Sequence, residues 1–477
     1  MMKKQVMKKL DAIQEKLFAA SDKIWDKPEI AFQEYQSMEV LCQLLEEEGF
    51  SIEKNLVGIP TAFRAVYGSG SPKIAFLGEF DALDGMSQEA GCTQKKEIKN
   101  QIFGHGCGHH ALGVGAAGAA IAVKQYLETS KAEGTVIYYG CPGEEGGSGK
   151  AFMVRDGAFD QVDCAITWHP SDLTGLFTGR CLASIGAIYH FKGVSAHAGG
   201  LAYLGRSALD AVELMDVGAN YLREHIISDA RIHYAITDTG GKSPNVVQSH
   251  ASVFYYMRAP KPEYVREMYE RIGNIAKGAA LMTETEVEVE FVRGVNSLMP
   301  NSCLNHVMQH NMEEVGLPDY DESDWETAEK FRNTLDAKDV TFQELLDTMT
   351  RKEQKEVLEY RGHNIYDFIT PELSMEPLLF GSTDVGDVSM TCPVVQLHAA
   401  TYAAGTPLHS WQAVAQGKEP LMHKGELYAA KVMAGTAVDL FENPKLVEEA
   451  KAELVERLEG HPFQSLMNKD TKPKLKR

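Results

Sequence analysis

The order of apolar and polar residues divides the chain into distinct textures. Residues 1–50 read as helices: SMEVLCQLLEEEGF has apolar positions at helical spacing and stops at Gly49. TAFRAVYG and PKIAFLGEF then read as strands, and 85–103 as loop. The small-residue run ALGVGAAGAAIAV (111–123) predicts a buried helix with an amphipathic continuation to about 128. GTVIYYG (134–140) and DCAITW (163–168) are two more strands. Near-continuously apolar strands alternating with helices predict an α/β fold with a mostly parallel sheet covered on both faces. Ligands in such sheets sit beyond the carboxyl ends of the strands. Asp81, Glu144, Glu145 and His169 all fall just past such ends.

From about residue 184 the texture changes. ASIGAIYHFKG, RIHYAITDTGG, NVVQSHASVFYYMRAP and TEVEVEFVRG alternate as antiparallel strands do, with helical stretches at 205–226 and 261–281 between them. That pattern suits a smaller α+β domain inserted into the first, over 186–293, between parts spanning 1–185 and 294–477. Residues 318–370 are charged and helical, a solvated hairpin or an arm. Beyond 375, CPVVQLHAATYAAGTPLHS reads as a strand ending near His409 and KGELYAAKVMAGTAVDLF as a closing helix; the tail TKPKLKR reads as loose.

Composition narrows the function. A chain of 477 residues with 44% hydrophobic content holds two or three folded domains. A net charge of −20 argues against nucleic acid or an anionic membrane as partner, and an acidic substrate would need local basic residues. No apolar run is long enough to cross a membrane, and no signal-peptide core follows the basic N-terminus. Eight cysteines without framework spacing fit a reducing cytoplasm.

Two short stretches carry candidate chemistry. GHGCGHH (104–110) sets Cys107 and His109 two apart among glycines. For a lone C-x-H, a tight turn with a buried thiol and solvated histidines is the better reading. The balance shifts because Glu144-Glu145, His169 and His409 follow separate strands. A thiolate, a carboxylate and several imidazoles suit a first-row divalent ion in an open, catalytic site. Glu144-Glu145 reads either as a solvated turn or as a division of labour, one carboxylate ligating metal and the other taking a proton from water. GEEGGSGK is no phosphate loop: Ala151 follows Gly149-Lys150, Glu144 stands where the first glycine belongs, and two carboxylates would repel phosphate. Asp384 and Asp387 in GSTDVGDVS read as turn or cap residues, and Cys42, Cys164 and Cys181 as core thiols.

Taken in order, GHGCGHH, CPGEEGGSGK, ITWHP, KGVSAHA, SPNVVQ, MRAP, GSTDVGDVS and AGTPLHSWQ resemble the M20 metallopeptidase/amidohydrolase family, over about residues 20–440. The likeness is greatest to the branch that cleaves p-aminobenzoyl-glutamate. The resemblance implies a di-metal catalytic domain with an inserted lid and dimerisation domain. It also implies hydrolysis of the amide bond of N-acyl or N-aroyl amino acids, or of small dipeptides. Its metals would be two divalent ions, Zn or Mn, held by Cys107, His109, Glu145, His169 and His409, with Cys107 as bridge. Glu144 would be the general base acting on metal-activated water, and Asp81 would orient a ligand. His197 of the lid would reach a partner subunit's site and stabilise the oxyanion, while Asn245 and Arg258 would bind the substrate carboxylate. The assembly would be a homodimer or a heteromer with a related subunit; a metal-binding regulatory subunit is the alternative. The family pattern has Asn or Asp where this chain has His110, read here as a donor beside the site or a surface residue.

Overall fold

A computed structural model describes residues 2–475. In chain order, α1 (Met2–Trp25) and α2 (Tyr35–Glu47) lead into β1 (Ser51–Lys54), β2 (Phe63–Ser69) and β3 (Lys73–Glu79). α3 (His109–Ser130), β4 (Gly134–Cys141), β5 (Cys164–Ser171) and β6 (Gly175–Leu176) follow. Then come β7 (Ala183–Lys192), α4 (Ala208–Leu222), β8 (Arg231–Asp238), β9 (His250–Ala259), α5 (Pro262–Thr283) and β10 (Glu286–Val295). The chain continues through α6 (Ser302–Val315), α7 (Glu322–Arg332), α8 (Val340–Thr348), α9 (Arg351–Val357), β11 (Val394–Ala400) and α10 (Pro420–Glu442).

The central sheet runs β1-β2-β4-β3-β5-β11-β6, with β4, β3, β5 and β11 mutually parallel and the remaining pairings antiparallel. This is the α/β architecture the apolar strands predict. Every residue of β4 is buried, as a strand covered on both faces requires. α3 lies in the core with almost every residue as far as Val123 buried, and α1 packs on it through a stripe that includes Leu10, Leu17 and Ile24 at heptad spacing. The alternating segments form a second sheet, β8-β9-β7-β10, fully antiparallel. α4 and α5 cover one face of it, against Tyr189, Val253, Tyr255 and Met257. Among the described residues, no helix packs on its other face.

Four local expectations differ from the structure. β5 extends through Ser171, so His169 sits inside the strand rather than past its end. β11 stops at Ala400 and His409 follows nine residues later, on a loop where its φ of 57° is left-handed. The segment 318–370 is no solvated hairpin: Phe342, Leu346, Tyr366 and Phe368 pack around Ala404, and Phe331 and Ile365 around Ala403. Buried Arg332 donates to the Ala404 carbonyl at 3.0 Å, and Asp172 accepts from Thr341 Oγ1 and Gly405 N at 2.5 and 2.8 Å. The segment therefore braces the loop that leads to His409. The tail is also anchored: Arg155 donates to the Thr471 carbonyl at 2.6 Å, Lys474 pairs with Glu290, and Leu475 packs on the core; residues 476–477 lie outside the described residues.

Candidate metal centre and active site

Gly108 explains how GHGCGHH delivers its side chains. Its φ of 74° starts α3, and a Cβ there would stand 2.5 Å from the Tyr402 hydroxyl and 2.8 Å from Pro170. Only glycine lets the turn approach the end of β5 so closely. Cys107 Sγ consequently lies 3.4 Å from His169 Nε2, and the His109 and His169 rings meet edge to face at 5.8 Å.

The imidazoles are oriented from behind. Asp81 Oδ1 accepts from His109 Nδ1 at 3.0 Å, while its Oδ2 accepts from the Glu145 amide at 2.9 Å. The Pro170 carbonyl accepts from His169 Nδ1 at 2.8 Å. Both rings therefore present Nε2 to the centre, the tautomer a ligand needs. His409 Nε2 stands 3.1 Å from Glu145 Oε1, and the His409 amide is tied to the Gly106 carbonyl at 2.9 Å, which holds the strained residue in place.

Three overlapping donor sets result, one of them Glu79, His109 and Glu144. Cys107, His109 and His169 have ligand atoms within 4.8 Å of one another, and so do Cys107, Glu145 and His409. Cys107 belongs to both. The donor chemistry fits divalent cations: thiol, carboxylate and imidazole converge, and the buried His109 Nε2 makes no hydrogen bond, with only the Glu79 carboxylate near it at 3.2 Å. Electrostatics agree. Burial, then the carboxylates of Glu79, Asp384 and Glu145, push Glu144 well above its ordinary range. Burial and then Glu145 raise the Cys107 thiol likewise. Burial also pushes Glu145 up, but the imidazoles of His409 and His109 outweigh it and hold its carboxyl at about 2. A cation among such groups relieves their repulsion and favours the thiolate.

The other expected residues lie elsewhere. His197 and Asn245 stand side by side on exposed loops, joined by an isolated bridge between His197 and Val246 and by the Ala198 amide on the Asn245 carbonyl at 2.9 Å. Arg258 is on the helix-free face of the second sheet. None of the three belongs to the donor sets among the described residues. His110 is not on the surface: it is fully buried, and its Nε2 donates to the Gly417 carbonyl at 2.8 Å. Asp384 does not cap its helix. It pairs with Lys150, whose Nζ is 2.5 Å from Asp384 Oδ1 and 2.7 Å from Glu79 Oε1. Glu79 Oε2 in turn is 3.2 Å from His109 Nε2. Asp387 binds the Asn296 amide and side chain at 3.0 and 2.7 Å.

The buried Lys150–Glu79–Asp384 triad was not visible as such in the sequence. Its one signal was a carboxylate two residues before Asp81 at the end of a strand. The lysine of GEEGGSGK, discounted for phosphate, is its cation.

Residues 75–348 match the model of Peptidase family M20/M25/M40. The chain is 45% identical to one of the p-aminobenzoyl-glutamate hydrolase subunits of Escherichia coli (strain K12), over 97% of each. It is 28% identical to the Xaa-Arg dipeptidase of Mus musculus, over 66% of this chain and 72% of that one. A dinuclear metal-binding M20 peptidase from Bacillus subtilis superposes with a TM-score of 0.57 at 17% identity, covering 91% of this chain and 99% of that one. The chain belongs to the M20/M25/M40 peptidase family. It is a metallohydrolase of amide bonds.

Proposed function

We propose that the chain hydrolyses the amide of N-acyl or N-aroyl amino acids, with p-aminobenzoyl-glutamate as the first substrate to test. The observation that carries this reading is the convergence of Cys107, His109, Glu145, His169 and His409 with Glu144 beside Glu145. These five would hold two divalent ions, Zn or Mn, with Cys107 shared. Bound there, the ions supply Lewis acidity that polarises the carbonyl and makes water acidic. Glu144 takes the proton from the attacking water and passes it to the leaving amine, a task suited to a carboxyl whose proton affinity is raised. Asp81 keeps His109 in the right tautomer. Arg258 and Asn245 hold the amino acid's carboxylate, and His197 of the partner subunit stabilises the developing oxyanion.

The assembly we propose is a homodimer through the second sheet. Its outermost strand β8 exposes Tyr234 and Ile236, and neighbouring α4 exposes Val217 and Tyr221. A heteromer with a related subunit would use the same surface, in keeping with the Escherichia coli relative being one of several subunits of its hydrolase. Against a purely regulatory role stands the complete ligand set with its base. No helix among the described residues is long and apolar enough to cross a membrane, and all eight cysteines are free, which supports a cytoplasmic setting.

The test is a panel of amides, p-aminobenzoyl-glutamate included, offered to protein stripped of metal and reloaded with Zn²⁺ or Mn²⁺. Release of aminobenzoate faster than cleavage of the other amides is expected. No cleavage of any amide by any loaded form would refute the proposal.

A further inference from the structure

The five expected ligands are not held alike. His109 is buried and His169 half-buried, and each ring has a fixed acceptor behind it, Asp81 for the first and the Pro170 carbonyl for the second. His409 differs from both. Its side chain is 52% exposed and its backbone is left-handed. Beside its contact with Glu145, the bond that fixes it runs from its own amide to the Gly106 carbonyl. Where His409 stands therefore depends on the loop that delivers it, residues 401–409.

The helical segment 318–370 grips that loop from its outer side. Arg332, on α7, is buried, and its Nη1 donates to two carbonyls at once: Lys338 of the segment at 2.7 Å and Ala404 of the loop at 3.0 Å. Its Nη2 is 2.5 Å from Asp339 Oδ1, so the buried charge is paired. The Ala404 amide donates to the Asn364 carbonyl at 2.9 Å. Gly405 follows with a φ of 83°, and a Cβ there would stand 2.0 Å from the Lys338 carbonyl. Only glycine lets the two chains come so close. The Gly405 amide donates to Asp172 Oδ2, which also accepts from Thr341 Oγ1 on α8. Asp172 directly follows β5, three residues beyond His169, so one carboxylate ties together the loop, the segment and the strand of another ligand. On the inner side, Gln416 accepts from the Ala403 amide at 2.8 Å and donates to Thr406 Oγ1 at 3.1 Å. The backbone from Ala403 to Thr406 is thus held on both sides, and His409 is three residues further on.

We infer that Arg332 and Asp172 are positioning residues for His409, through which the helical segment sets the affinity of the metal position formed by Cys107, Glu145 and His409. The position formed by Cys107, His109 and His169 does not depend on them. This rests on the two-ion reading above. Arg332 belongs to none of the donor sets and acts only through the Ala404 carbonyl. Removing its guanidinium leaves the Ala404 and Lys338 carbonyls and the Asp339 carboxylate without their donor. The loop then relaxes, and His409, exposed and strained, is the ligand that leaves the centre.

The experiment titrates Zn²⁺ into metal-free protein in competition with a chromogenic chelator, for the parent, Arg332→Met, Arg332→Lys and Thr341→Val. Circular dichroism checks that each is folded. Thr341→Val removes only one hydroxyl from Asp172 and carries the test if Arg332→Met does not fold. The parent is expected to take up two equivalents. In Arg332→Met one equivalent binds as in the parent and the other weakens about 10- to 100-fold, the range for a lost outer partner of a ligand. Arg332→Lys recovers part of that affinity, and Thr341→Val weakens the same equivalent by about 3- to 10-fold. Cleavage of p-aminobenzoyl-glutamate by Arg332→Met falls at equimolar metal and returns to most of the parental rate at saturating metal, which a merely destabilised protein would not do. Equal weakening of both equivalents, or no weakening in folded Arg332→Met and Thr341→Val, overturns the inference while leaving amide hydrolysis standing. If no amide is cleaved yet one equivalent is selectively weakened, the positioning role holds and the amidohydrolase reading fails.

Discussion

Lys150→Met isolates what the buried triad contributes. The ammonium is fully buried, 2.7 Å from Glu79 and 2.5 Å from Asp384. At an effective dielectric constant of about 20, each contact is worth about 6 kcal/mol gross. Desolvating the ammonium and the two carboxylates costs several kcal/mol for each ion in return, which leaves the net value of the arrangement small. Deleting the lysine is a different matter, because two carboxylates then stay buried beside the raised Glu144. Breaking such a cluster costs about 3–5 kcal/mol. All four tryptophans lie outside the second sheet's segment, so their fluorescence follows the catalytic body alone. With a urea m-value of about 3 kcal/mol/M, the unfolding midpoint falls by about 1 to 1.7 M. Adding Asp384→Asn to Lys150→Met removes one stranded charge and recovers part of the loss. A Lys150→Met midpoint within about 0.3 M of the parent would refute the reasoning.

Other outcomes follow from single contacts. Asp81→Asn removes the charge and leaves one oxygen for two donors, His109 Nδ1 and the Glu145 amide, so His109's tautomer is no longer held, and metal affinity measured by competition with a chromogenic chelator is expected to fall about 10- to 100-fold. Burial, then the Asp81 charge, raises Glu34 from 4.5 to about 8. A raised acid contributes stability that is fully present below pH 4.5 and lost as pH rises through about 8. Glu34→Gln keeps a side chain able to bond Thr61, so its unfolding free energy should decline less than the parent's between pH 5 and 8, by about 1 kcal/mol or more; parallel profiles would contradict this. Lys131 ends α3 with a φ of 54°, and Lys131→Gly is expected to raise stability by about 0.5–1 kcal/mol in thermal unfolding.

The fold was legible where periodicity is strong. The buried strands 134–140 and 163–168, the small-residue helix and the alternating strands after 184 all follow from side-chain period alone. Local spacing failed where tertiary contacts decide. Nothing in AGTPLHS announces a left-handed His409 held by the Gly106 carbonyl, or a loop braced by helices from 318–370. His110 read as a donor beside the site or a surface residue; it is buried, and its Nε2 donates to a backbone carbonyl 307 residues away, which no local pattern announces. In the site, residue types pointed to Cys107, His109, the Glu144-Glu145 pair, His169 and His409, and the family resemblance chose Glu145 of the pair as ligand. Glu79 and Lys150 were missed because a buried ion pair has no sequence period, and its members sit 71 residues apart.

The central claim is that Glu144 moves the proton in amide hydrolysis at this centre, and Glu144→Gln tests it most directly. Metal content and single-turnover cleavage of p-aminobenzoyl-glutamate are measured on the same sample. The account predicts two equivalents of metal retained and a rate reduced about 10²- to 10⁴-fold, with Glu144→Asp recovering part of it. A Glu144→Gln protein that keeps its metal and cleaves at the parental rate would contradict it.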